Sequence, residues 1–262
     1  YCLPCFLTNP VLKCLNWNHS VKIQIDLLLL SSNVYMSPAP ATKTCCAHQT
    51  PQEAILVKKH LFLQGNITIG KSTLLREALL PYLDQVGGFY VQRIYKNNEH
   101  IGFQLKPLHK AEGYQLNKQV ADLQKNNYFI YRDEKRKMQV QLSIFENDGV
   151  HFLEKAQENK KKIILMDEIG GIDLYCPAFV QSILQILGGP WSAVGVLKLA
   201  RNRKRLSSNF VNPEEKEKEV MGKYSRIKEH PLVKILKLRL DNYQEVRTEV
   251  QAFIKNVLRV HR

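Results

Sequence analysis

The sequence predicts an α/β fold, a three-layer sandwich whose mostly parallel central sheet is covered by helices and carries an antiparallel hairpin addition. Three observations predict it. From Ile55 onward, short apolar runs such as HLFLQ, IILM, SAVGVL and LVKILKL alternate with amphipathic segments, the order of a sheet whose strands are joined by crossover helices. Ile163 to Met166 is apolar at every position, as in a strand buried on both faces. Between Gly87 and Leu108, two runs rich in aromatic and β-branched residues flank Lys96-Asn97-Asn98-Glu99, the pattern of a hairpin with a polar tip.

Taken in order, residues 1–54 show no sustained helix or strand period and end in the Pro, Thr and Ala stretch SPAPATKTCCAHQTPQE, so they read as a poorly ordered extension or linker before a single domain over 55–262. ILVKKHLFLQG is the first strand of that domain. The helix after it places Leu74, Leu75, Ala78, Leu79 and Tyr82 on one face, with Pro81 near its end. The hairpin follows. Tyr128 to Phe145 alternates more weakly around the charged cluster RDEKRK, which predicts further antiparallel strands and an exposed turn. Phe152 to Asn159 reads as helix, KKIILMDEIGGIDL as a strand ending in acids, and PAFVQSILQILGG as a helix closed by Gly188-Gly189. WSAVGVLKLA is a strand, EEKEKEVMGKYSRIKEH a helix, LVKILKLRL a last strand, and Tyr243 to Val260 a closing helix.

With 262 residues and 44% hydrophobic content, the chain has ample material for a buried core. Its formal charge of +14 is uneven: between Arg201 and Arg239 there are twelve Lys or Arg against five Glu. Such a balance favours polyanionic partners without specifying one. Five of six cysteines (Cys2, Cys5, Cys14, Cys45, Cys46) precede residue 50, and only Cys176 lies beyond. That is no disulfide scaffold, and it fits a reducing, cytoplasmic setting. Cys2-x-x-Cys5 is half of a zinc pattern whose second half would have to come from irregular spacing. IQIDLLLL is too short to span a bilayer, so no membrane association is expected.

The chemistry centres on GNITIGKS, Gly65 to Ser72. In a strand, loop, helix context, G-x-x-x-x-G-K-[ST] wraps a terminal phosphate with backbone N–H groups, and the following helix points its positive end inward. Gly65, Asn66, Ile67, Thr68, Ile69, Gly70, Lys71, Ser72 and Thr73 form the expected phosphate-binding set, with Lys71 on the outer phosphates and Ser72 on Mg²⁺. Asp167 and Glu168 end the buried strand about ninety residues on, where an acid holds the Mg²⁺ shell beside the loop serine. Adjacent strand residues face opposite ways, so Asp167 is assigned to the metal with Ser72, and Glu168 to orienting or deprotonating a water. Arg93 on the hairpin and Arg201 at the start of the basic region are candidates for completing charge neutralisation over the γ-phosphate.

With these motifs placed, residues from about Ile55 to Leu258 resemble the small P-loop nucleoside-triphosphatase family that includes the cancer-related nucleoside-triphosphatase and its thermophile relatives. The likeness rests on GNITIGKST, on GGFYVQRIYKNNEHIGFQL, on MDEIGGIDL and on the helix and strand ending in VGVLK. It implies a RecA-like α/β core and Mg²⁺-dependent hydrolysis of ATP, GTP and other nucleoside triphosphates to diphosphate and phosphate. Thr68 stands where that family's loop usually has another Gly, Val91 and Gln92 replace a Thr and an acid of the hairpin, and Gly171 and Asp173 replace a Pro and a Glu after the acidic pair.

Two other readings remain open at this stage. One is a P-loop small-molecule or nucleotide kinase with an acceptor hydroxyl in place of water and Arg201 to Arg205 as a lid. The other is a nucleotide-dependent RNA-binding or adaptor protein, disfavoured because the basic region has little aromatic interleaving. The expected partner is the nucleoside triphosphate itself, bound by a monomer.

Overall fold

The computed structural model describes residues 57–108, 114–121, 128–133, 135–200 and 213–260. The extension read over residues 1–54 lies outside them, as does Arg201.

The first strand, β1 (His60–Gly65), starts later than the apolar text at Ile55 suggests. Lys58 and Lys59 interrupt that text, and each ammonium reaches a backbone carbonyl instead, of Pro231 and Gly189 respectively. Helix α1 (Lys71–Leu79) follows the loop and buries Leu74, Leu75, Ala78 and Leu79. Pro81 ends it as expected: the chain tightens into a 3₁₀ turn, Leu80–Gln85. The hairpin is β2 (Val86–Lys96) and β3 (Glu99–Pro107), joined through Asn97 and Asn98 at φ 50° and 62°. Asparagine tolerates that left-handed conformation, and two such residues make the tight turn that matches strand twist.

Three short strands extend the hairpin side: β4 (Asn117–Gln119) parallel to β2, then β5 (Tyr128–Arg132) and β6 (Met138–Val140), antiparallel in turn. A wide turn at Phe145–Gly149 leads into α2 (Val150–Glu158). Strand β7 (Ile163–Ile169) continues through the acids rather than stopping at them. Helix α3 (Pro177–Gly188), strand β8 (Ser192–Leu197), helix α4 (Pro213–Lys228), strand β9 (Val233–Leu238) and helix α5 (Tyr243–Val260) complete the order.

The strands form one sheet in the order β6-β5-β3-β2-β7-β8-β1-β9, with β4 beside β2. The run β2-β7-β8-β1-β9 is parallel throughout. Strand β2 is long enough to serve two partners on one edge, pairing β7 through Val86–Tyr90 and β4 through Arg93–Tyr95.

The alternation of side chains divides the core in two. Leu61, Leu63, Ile163, Leu165, Val194 and Val196 face α1 and α5, while Phe62, Ile164, Met166 and Ala193 face α2, α3 and α4. Both faces of the parallel strands are thus covered, which is why Ile163–Met166 is apolar at every position. A line of rings, Phe129 to Phe145 (4.8 Å), Phe145 to Phe179 (5.2 Å) and Phe179 to Phe89 (5.5 Å), ties the antiparallel extension to α3 and the core.

One buried histidine staples β1 to its neighbours. His60 is fully buried, its Nε2 lies 2.9 Å from the Leu187 carbonyl, and its Nδ1 accepts from the Ala193 N–H at 3.1 Å. Both bonds are satisfied by the neutral ring, and burial pulls its pKa down to about 4. A folded pKa below the unfolded value of about 6.5 means that the unfolded chain binds the extra proton between those two values. The contribution is therefore fully present above pH 6.5 and is lost as pH falls toward 4, on the order of 3 kcal/mol over the window. Urea denaturation at pH 7 and pH 4.5 should show a smaller loss in His60→Gln than in the parent chain. Equal losses would contradict this account.

Candidate active site

The loop between β1 and α1 is shaped by what its backbone must do. A Cβ on Gly65 would lie 2.6 Å from the Leu238 carbonyl oxygen of β9, so only glycine lets the two strands run side by side there. Gly70 has φ 93° and caps α1, whose first N–H groups are left free to point into the loop. Thr68 also lies in the left-handed region, at φ 66°, with its hydroxyl donating to the Ile67 carbonyl at 2.6 Å. The family resemblance implies a glycine as the usual residue at this position, and a threonine held at this angle strains the backbone. The left-handed region costs a non-glycine residue about 1–2 kcal/mol, against about 0.5–1 kcal/mol for the extra freedom a glycine loses on folding. Thr68→Gly should hold the melting temperature or raise it by up to about 4 °C. A clear fall, read by scanning calorimetry, would contradict the strain.

Lys71, the first residue of α1, curls back over the loop. Its Nζ donates to the Asn66 carbonyl at 2.7 Å and to the Gly65 carbonyl at 3.2 Å. Burial lowers its pKa, opposed by the nearby carboxylates of Glu168 and Asp167. The next residue reaches across the sheet: Ser72 Oγ donates to Asp167 Oδ1 at 2.9 Å. Asp167 is 1% exposed, and its second oxygen, Oδ2, is buried without a hydrogen-bond partner. Burial and the adjacent Glu168 charge raise this carboxyl to about 7, with the Ser72 hydroxyl working in the other direction. A hydroxyl and a carboxylate side by side, with one buried carboxylate oxygen unclaimed, are a donor set that suits Mg²⁺, which takes few protein oxygens and completes its shell from phosphate and water.

Glu168 has a different partner from Asp167. It is half-buried, and its Oε2 lies 3.4 Å from Nζ of Lys198, one residue past the end of β8. The Lys198 charge also acts at Lys71, and so does that of Arg93, which is felt at Asp167 as well. Lys198 is a candidate site residue absent from the sequence-based set. The text VGVLK contains it, but only the strand order shows that β8 lies between the loop strand β1 and the acid strand β7. A cation at the end of that strand is delivered between the two motifs.

After Glu168, Asp173 organises the Gly170-Gly171 turn. Its buried carboxylate accepts from the N–H groups of Gly170 (2.9 Å) and Gly171 (2.6 Å), and Gly170 has φ 92°. Burial raises the Asp173 pKa, and the Lys198 charge opposes the rise. Gln92, at the departure in the hairpin, is buried and donates to the Gln115 carbonyl, holding the chain that precedes β4.

A glycine-bounded loop at the end of an interior parallel strand, with a buried acid two strands away hydrogen-bonded to the loop serine, defines a P-loop phosphate-binding protein. The family model described as NTPase matches residues 60–251, and the chain belongs to that nucleoside-triphosphatase family. A cancer-related nucleoside-triphosphatase homolog of Mus musculus is 30% identical over 147 residues, spanning 51% of this chain and 72% of that protein. The nucleoside-triphosphatase THEP1 of Thermotoga petrophila is 29% identical over 138 residues, spanning 53% of this chain and 71% of its own. The crystal structure of THEP1 from Aquifex aeolicus superposes with a TM-score of 0.49 at 18% identity, covering 73% of this chain and 96% of that one.

Proposed function

We propose that the chain, through residues 55–262, hydrolyses nucleoside 5′-triphosphates to diphosphate and phosphate with Mg²⁺, and that Lys71, Ser72, Asp167, Glu168 and Lys198 carry the reaction. The observation that carries this reading is the 2.9 Å bond between Ser72 and Asp167, which joins the phosphate loop to the acid strand.

The backbone N–H groups from Asn66 to Thr73 receive the β- and γ-phosphates, and Lys71 turns from the loop carbonyls to the outer phosphate oxygens. Ser72 Oγ and Asp167 would hold Mg²⁺, which supplies charge neutralisation across the phosphates when bound. Glu168 orients the attacking water and draws off its proton. Lys198, 3.4 Å away, fixes that carboxylate and adds positive charge beside the transferring group. Arg93 contributes from the hairpin side, because its charge is already felt at Lys71 and Asp167. Arg201 retains the role of a second candidate from outside the described residues. A carboxylate base would serve water or an acceptor hydroxyl alike, and the nucleoside-triphosphatase family match is what favours hydrolysis over the kinase alternative.

Lys71→Ala should abolish turnover and weaken nucleotide binding. Glu168→Gln should keep binding and slow single-turnover hydrolysis by ~10²–10⁴-fold, the usual worth of a positioned base. Asp167→Asn should raise the Mg²⁺ concentration needed for half-maximal rate. Lys198→Ala should lower the rate less than Glu168→Gln does, because it acts partly through that carboxylate. Phosphate release by the parent chain without an acceptor is the first measurement. Turnover that persists in Lys71→Ala, or unchanged in Glu168→Gln, would overturn the assignment.

A further inference from the structure

Large hydrophobic side chains that stand in solvent are few among the described residues, and two of them share one cleft. Ile67, at the tip of the phosphate loop, is 62% exposed, and Leu240, in the connection from β9 to α5, is 86% exposed. Both line a cleft of about 680 Å³ whose walls are the loop residues Gly65 to Ile69 on one side and Lys237 to Asp241 on the other, with Leu199 alongside. An exposed apolar pair around a concave surface next to a phosphate site marks a place where a flat apolar group is to be covered.

The connection that presents Leu240 is held in shape from within. Asn242 Oδ1 accepts from the Arg239 N–H at 2.8 Å, its Nδ2 donates to the Lys237 carbonyl at 2.9 Å, and its own carbonyl receives the Val246 N–H at the start of α5. The turn is therefore built before any ligand arrives. Beside Leu240, Arg239 Nε donates to Asp241 Oδ1 at 3.0 Å, and backbone N–H groups at Asp241 and Asn242 add to the hold, so the carboxylate is fixed in place at the cleft wall.

We propose that this cleft is the nucleobase subsite, that Ile67 and Leu240 cover the faces of a purine, and that Asp241 makes the site favour guanine over adenine. The proposal rests on the phosphate-loop reading above, since the phosphates anchor the base beside the loop. The carboxylate decides the preference by counting donors. Guanine's pairing edge carries two adjacent N–H donors, at N1 and at the 2-amino group, which two carboxylate oxygens accept together. Adenine offers one amino donor beside a ring nitrogen whose lone pair faces the second oxygen. Matched pairs of donors and acceptors at a base edge discriminate strongly because the wrong base leaves a polar group unpaired.

Calorimetric titration of the full chain with GDP, ADP and pyrophosphate, each with Mg²⁺, tests this. GDP should bind about ten-fold more tightly than ADP. Asp241→Ala should remove that advantage by weakening GDP alone. Leu240→Ala, at an exposed position where folding is not at stake, should weaken GDP and ADP together several-fold while pyrophosphate affinity holds. Equal affinity for GDP and ADP in the parent chain, or unaltered nucleotide affinity in both variants while pyrophosphate still binds in a Lys71-dependent way, overturns the base subsite and leaves the phosphate loop standing. Failure of all three ligands to bind overturns the phosphate-loop reading and this inference with it.

Discussion

The hydrogen bond from Ser72 to Asp167 is the contact on which the rest of the site depends. Its two ends belong to α1 and to β7, and β7 is separated from the loop strand β1 by β8. Neighbouring strands lie about 4.8 Å apart, so two strand spacings must be bridged by side chains before loop and acid can act on one ligand. The helix makes this possible, because it leaves the end of β1 inclined over the sheet and carries Ser72 toward the acid. Anything that changes the strand order, or the register of β8 between its partners, separates the two halves of the chemistry while leaving each motif intact.

The same topology explains why some of the site is written in the sequence and some is not. A glycine-bounded loop and an acid-ended apolar strand are local patterns, since each residue's role follows from its immediate neighbours. The hairpin is local as well, and its aromatic runs and Asn-Asn tip specify it without reference to the rest of the fold. Lys198 is of another kind. It ends an ordinary strand, and nothing near it in the chain distinguishes it from other lysines of a basic protein. Its meaning comes from lying between β1 and β7, a relation that periodicity does not encode. The cleft beside the loop is hidden for the same reason, because Ile67 and Leu240 are 173 positions apart and read separately as unremarkable apolar residues. The start of β1 was misplaced by a different cause: Val57 continues the apolar text although it is exposed, and lysines 58 and 59 take their carbonyl partners from beyond the strand.

The departures from the related pattern also acquire physical content. Thr68 holds the backbone angle that glycine would adopt freely, so the loop keeps its path at the cost of local strain. Asp173, with Gly171 where the resemblance implies a proline, holds its turn by hydrogen bonds, accepting two successive N–H groups on one buried carboxylate. Gln92 exchanges an acid for a neutral donor to the chain before β4, which removes a negative charge from the strand that also bears Arg93. None of the three disturbs the contact between loop serine and strand acid.

The electrostatics of the site fit a ligand that brings charges of both signs. Lys71 is held by two carbonyls, and burial works against its charge. Asp167 is pushed up to about 7, and one of its oxygens has no partner. Each group alone is in an environment that disfavours its ionised form, and neither reaches the other directly, because Ser72 engages the acid and the loop engages the lysine. A polyphosphate gives Lys71 anionic oxygens in place of carbonyls, and a divalent cation gives Asp167 the positive charge that burial denies it. Binding the two together relieves both penalties, whereas either alone relieves one and leaves the other. On the proposed function, nucleotide and metal affinities would be coupled through these two residues, and the coupling would arise from the burial of Asp167.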